Sequence, residues 1–121
     1  MTSIAQVTSE GQIGGMDQHP LDRLFSLIEA RRTADTGKSY TASLLAKGRL
    51  QCARKLGEEA LETALAAMTP DRAAVVRESS DLLYHLLVLW AACGITPAEV
   101  YAELRARENQ SGLEEKAARN G

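Results

Sequence analysis

Apolar residues fall along this chain at helical spacing, and nowhere in the strict alternation of a half-buried strand. Leu21, Leu24, Leu27 and Ile28 share one face of a helix predicted over 20–33. The turn-rich stretch TADTGKSYTAS interrupts it, and a short helix over 42–47 leads into a long one over 49–68. The long helix carries a stripe of Leu56, Ala60, Leu61, Ala64, Leu65 and Met68. Thr69 and Pro70 read as a restart, with Thr69 capping and Pro70 in the first helical position. The following helix is expected to run to Cys93 and stop at Gly94, which tolerates a left-handed cap. In TPAE, residues 96–99, Thr96 caps, Pro97 sits first and Glu99 completes a capping box for a last helix ending near Glu108. The prediction is an all-α bundle of four to five helices over 19–108, between a loosely ordered extension at 1–18 and a polar tail at 109–121.

The stretch LLYHLLVLWAAC, residues 82–93, is apolar almost all round, unlike a helix on the surface of a small domain. A chain of 121 residues can hardly surround it, so a homodimer that completes the bundle is expected. The same run is too short to span a bilayer, and the first nineteen residues lack the basic start and apolar centre of a signal peptide. No membrane association is expected. Cys52 and Cys93 form neither a metal-binding nor a redox spacing, and they suit a reducing cytoplasm.

Composition is ordinary, with 45% apolar and 25% charged residues and a formal net charge of −2. The distribution of charge is more informative. Between residues 31 and 55 the chain holds Arg31, Arg32, Lys38, Lys47, Arg49, Arg54 and Lys55 against the single acid Asp35. Between residues 56 and 95 it holds Glu58, Glu59, Glu62, Asp71, Glu78 and Asp81 against Arg72 and Arg77. A basic arm beside an acidic helical core suits a polyanionic ligand bound with a divalent cation; the alternative is that folding interleaves the two and cancels the asymmetry.

On a helix that turns about 100° per residue, Lys55, Glu59 and Glu62 fall in one narrow sector. Glu78 and Asp81 lie about 60° apart on the next helix, with His85 between their directions one turn on. Their line continues through Leu82, Leu89 and Ala92, so these acids head a stripe that belongs to the interior. Two carboxylates about 6 Å apart repel by roughly 3 kcal/mol at an effective dielectric near 20. Gathering Glu59, Glu62, Glu78 and Asp81 in one cleft therefore calls for protons or a cation, and an all-oxygen set selects Mg²⁺ or Mn²⁺. Iron is disfavoured, because a di-iron bundle wants a Glu-x-x-His step and neither His85 nor His19 has one. His85 reads as a hydrogen-bonded helix residue and not as a ligand, and no nucleophile constellation or phosphate-cradling glycine loop is present.

Glu58-Glu59-x-x-Glu62 followed by Glu78-x-x-Asp81 resembles the EExxE…ExxD signature of the MazG-like all-α nucleotide pyrophosphohydrolases. SYTASLLAKG, KLGEEALE, DLLYHLLVLWAACGITPAEVYAEL and SGLEEKAAR narrow the resemblance to the phosphoribosyl-ATP pyrophosphatases of histidine biosynthesis, over most of residues 20–119. The resemblance implies Mg²⁺-dependent hydrolysis of phosphoribosyl-ATP to phosphoribosyl-AMP and pyrophosphate, with no nucleic acid as partner. It implies that Glu59, Glu62, Glu78 and Asp81 hold metal, and that Glu58 is a ligand, a base or an orienting group. Lys55 meets a phosphate or pairs with Glu59, one or two of Lys47, Arg49 and Arg54 reach the substrate's phosphates, and Tyr40 stacks on or hydrogen-bonds the substrate, or packs. Lys116 and Arg119 belong to a segment that the resemblance casts as a mobile cover. Two other readings remain open here: a house-cleaning nucleoside triphosphate pyrophosphohydrolase, and a non-catalytic helical dimerisation module.

Overall fold

A computed structural model of the chain describes residues 18–108 and Arg119. Among these are α1 (Pro20–Ala30), α2 (Tyr40–Lys47), α3 (Arg49–Ala66), α4 (Arg72–Cys93) and α5 (Pro97–Arg107), with no strand. The expected all-α architecture is present. The expectations for residues 1–17 and, Arg119 apart, for the tail fall outside the described residues.

Side-chain acceptors decide where the helices begin. The buried Ser39 accepts the Ala42 N–H at 3.1 Å, so α2 starts at Tyr40, two residues before the position the sequence suggests. The restart before α4 also differs. The Thr69 hydroxyl donates to the Ala66 carbonyl at 2.8 Å and accepts the Asp71 N–H at 3.3 Å, so it serves the turn between α3 and α4. The Asp71 carboxylate is the cap; it takes the Ala74 N–H at 3.0 Å, and Arg72, not Pro70, is the first helical residue. The capping box on α5 is as expected, with the Thr96 N–H donating to Glu99 Oε2 at 2.8 Å. Gly94 takes a φ of 73° at the end of α4, and the chain bends by 109° between α4 and α5.

α3 lies antiparallel along α4, α1 and α2 pack against α4 as well, and α5 touches α1. The core comprises Ile28, Leu44, Cys52, Leu87, Val88 and Ala91, flanked by Leu24, Phe25, Tyr84 and Trp90. Arg32 Nη2 donates to the Ala91 carbonyl at 2.8 Å and ties the end of α1 to α4.

Of the apolar stripe expected on α3 only Leu56 is half-buried; Ala60 and Ala64 are exposed, and Leu61, Leu65 and Met68 are 60%, 58% and 80% exposed. The covered side of the helix carries the buried Cys52 and, with Leu56, the half-buried Glu59 and Thr63. The neighbours of α3 explain this: α2 meets it through the Cys52 thiol, which donates to the Leu44 carbonyl, and α4 meets it through Thr63, so both cover the same side. Among the described residues no single helix is long and apolar enough to cross a membrane.

Leu87 is 1% exposed in the centre of the core. Leu87→Ala is expected to cost about 2–5 kcal/mol of unfolding free energy, measured by urea denaturation.

Candidate metal centre

The hairpin of α3 and α4 sets acids from two helices against each other. Glu59, Glu78 and Asp81 each offer a carboxylate oxygen, and these oxygens all lie within 4.8 Å of one another. Glu59 comes from the side of α3 that faces α4, and its side chain is only 12% exposed. Glu78 and Asp81, three residues apart, follow one another around α4, the first half-buried and the second at the solvent edge. Glu59 Oε2 and Glu78 Oε2 are buried and have no hydrogen-bond partner among the described residues, a costly state for carboxylate oxygens.

Burial raises the Glu59 carboxyl above its ordinary 4.5; Glu62 adds to the rise and so does Asp81, against a smaller opposing pull from Lys55. The Glu78 carboxyl is raised by the loss of hydration first, then by Glu62 and Asp81. Glu62 is not one of the three acids whose oxygens converge, but it lies near enough to Glu59 and Glu78 to raise both. Between ionised carboxylates there is no proton to share, which leaves those two oxygens unpartnered; a proton on one of them would let Glu62 pair with it.

His85 closes the inner wall of the acidic group. It is buried, with Nε2 3.8 Å from Glu59 Oε1, beyond hydrogen-bond reach. Burial pushes its pKa below 6.5, Lys55 pushes the same way, and Asp81, Glu58 and Glu62 oppose them. Its ring meets Tyr84 edge-on at 4.9 Å and Tyr40 edge-on at 6.0 Å, and Tyr40 stacks against Tyr84 at 6.4 Å. The Tyr84 hydroxyl hydrogen-bonds Thr41, which joins α2 to α4. Tyr40 is 55% exposed and so offers an aromatic surface one ring away from the acids.

The remaining sequence candidates are arranged unevenly. Lys55 Nζ lies 3.3 Å from Glu58 Oε1, so its ion-pair partner is Glu58 and not Glu59. Glu58 itself is exposed and outside the three converging acids. Lys47 and Arg49 flank Gly48, exposed, at the junction of α2 and α3. Arg54 is exposed and, at about 100° per residue, lies some 110° around α3 from the sector of Glu59 and Glu62. Arg119 is exposed, and Lys116 lies outside the described residues. Thr63 was not a sequence candidate, yet its hydroxyl donates both to the Glu59 carbonyl at 2.8 Å and to the Glu78 carbonyl at 3.1 Å.

Clustered oxygen donors, two of them desolvated and unpartnered, fit a hard dication. The helical fold with acids facing across a hairpin is that of the MazG-like all-α class. The chain belongs to the phosphoribosyl-ATP pyrophosphohydrolase family, whose description matches residues 21–108. It is 63% identical over 103 residues to a phosphoribosyl-ATP pyrophosphatase of Parvibaculum lavamentivorans, covering 85% of this chain and 94% of that protein. It is 50% identical to the one from Paramagnetospirillum magneticum and 57% identical to the one from Azorhizobium caulinodans, with the same coverage in each case.

A raised carboxyl pKa in the fold means that the ionised form is penalised there. That penalty is complete above the raised pKa and disappears as the pH falls to the ordinary 4.5. In the presence of a chelator, Glu78→Gln is therefore expected to melt at a higher temperature than the wild type at pH 8. The gap should close as the buffer is acidified, followed by calorimetry across a pH series.

Proposed function

We propose that the chain hydrolyses phosphoribosyl-ATP to phosphoribosyl-AMP and pyrophosphate, using Mg²⁺ or Mn²⁺ held by Glu59, Glu62, Glu78 and Asp81. The observation that carries this reading is that Glu59 and Glu78, from α3 and α4, converge with Asp81 and each bury a carboxylate oxygen without a partner. The names of the relatives support the choice of substrate. When bound, the cation supplies charge neutralisation for the phosphoryl oxygens and a more acidic water.

The chain's own residues do the rest in this scheme. Glu62, exposed beside the converging acids, takes the proton from the attacking water as its oxygen bonds the α-phosphorus, and the α–β phosphoanhydride bond breaks as pyrophosphate leaves with its electron pair. Glu58 holds Lys55, and Lys55 meets a substrate phosphate when the ion pair opens. Tyr40 offers its exposed ring face to the substrate, braced from behind by Tyr84 and His85. Lys47 and Arg49 reach phosphates from the α2–α3 junction, and Lys116 and Arg119 approach from the tail. The work is done in the cytoplasm, in keeping with the free thiols of Cys52 and Cys93.

Pyrophosphate release from phosphoribosyl-ATP, measured against dUTP and dCTP with and without Mg²⁺, tests this. Phosphoribosyl-ATP should be strongly preferred, chelation should stop turnover, and Glu59→Gln or Asp81→Asn should lose at least ~100-fold, the scale of removing one transition-state-stabilising group. Equal turnover of the deoxynucleotides would instead mark a general triphosphate pyrophosphohydrolase.

Assembly is part of the same proposal: two copies pack through the open face of α3. Leu50, Arg54, Gly57, Leu61, Ala64 and Met68 follow the 4-3-4-3-4 spacing of a helix–helix seam. Leu50, Leu61 and Met68 are 73%, 60% and 80% exposed, an open apolar run that a second copy would cover. Gly57 is the telling member. It sits inside α3, where glycine costs about 1 kcal/mol relative to alanine, yet a Cβ there meets nothing within 4 Å. A close approach from a second backbone accounts for it. Gly57→Leu should give a monomer in sedimentation equilibrium with its helix content intact; an unchanged dimer would remove Gly57 from the interface.

A further inference from the structure

Thr63 enters neither the metal set nor the core, yet its hydroxyl links the two acid-bearing helices. One proton is shared between two acceptors, the Glu59 carbonyl at 2.8 Å within α3 and the Glu78 carbonyl at 3.1 Å on α4. Both acceptors belong to residues of the acidic group, one on each side of it. The hydrogen bond to the Glu78 carbonyl joins α3 to α4. A β-branched side chain has few rotamers in a helix, and the hydrogen bond to the carbonyl four residues back favours the one that aims the hydroxyl at α4.

The position of this link matters because of what acts against it. At the level of Thr63 the facing side chains are carboxylates, and their mutual repulsion drives the helices apart whenever no cation is present. The buried leucines and valine of the core lie further along α4, at Leu87 and Val88, beyond His85. At the acids themselves the Thr63 hydroxyl bridges the two backbones against that repulsion. We propose that Thr63 is a positioning residue that fixes the distance between the carboxylates of α3 and those of α4, so that the dication meets a ready-made set of ligands. The inference rests on the metal-dependent reading above.

The test is a titration of the full-length apo protein with Mn²⁺ alone, read by the electron paramagnetic resonance of free Mn²⁺. Thr63→Val keeps the shape and removes the donor; Thr63→Ser keeps the donor and removes the methyl group. Thr63→Val should weaken Mn²⁺ binding by about tenfold, the low end of what losing a partner of a ligating group costs, while Thr63→Ser stays close to the wild type. A merely structural role predicts the reverse pattern, a lower melting temperature in chelator with unaltered Mn²⁺ affinity. If Thr63→Val does not fold, the same comparison is made between Thr63→Ser and Thr63→Ala. Wild-type affinity in the donor-free variant, or equal weakening in the serine variant, overturns the proposal for Thr63 alone. Absence of Mn²⁺ binding by the wild type overturns the proposed function, and this inference with it.

Discussion

Like-charge repulsion across the α3–α4 hairpin is the constraint to which the rest of the structure answers. Three carboxylate oxygens within 4.8 Å of one another, one on a side chain that is only 12% exposed, oppose close packing of the helices that carry them. The fold accommodates them by dividing α4. Its first half faces acids, and its second half, with Leu87, Val88 and Ala91, is sealed into the core by α1 and α2. His85 sits at the boundary, buried with its pKa lowered, so one edge of the acidic group is neutral and dry. A site of this kind exchanges stability of the empty protein for readiness to bind, a local conflict of the sort expected where function lies.

Much of the architecture was legible because helix ends carry local chemistry. Thr96, Pro97 and Glu99 specify their cap within four residues, and Gly94 specifies its stop alone. The start of α4 is not fixed by spacing, because Thr69 and Asp71 both offer a capping oxygen; Thr69 serves the turn, bonded to Ala66 and Asp71, while Asp71 caps the helix. The stripe of α3 was misassigned for a different reason. Periodicity identifies an apolar face but not what lies against it, and the leucines Leu61 and Leu65 are turned away from the helices of their own chain.

The site was legible in part. Spacing alone brought Glu78 and Asp81 together, since residues three apart on a helix are neighbours. That Glu59 meets them depends on the register between two helices, which helical arithmetic does not contain. The same limit hid Thr63, whose hydrogen bond to the Glu78 carbonyl spans fifteen residues of sequence. It also hid the preference of Lys55 for Glu58 over Glu59, and the ring contacts that connect Tyr40 through Tyr84 to His85.

Gly48 ends α2 and begins α3 with a φ of 95° and a ψ of 174°. This is not the left-handed helical well that asparagine or aspartate visits but a region reached essentially by glycine alone. A Cβ added there would touch nothing within 4 Å, so bulk is no obstacle. The elbow between the helix bearing Tyr40 and the helix bearing Glu59 is thus governed by handedness. A residue of mirror-image configuration would fit where every ordinary side chain strains the backbone.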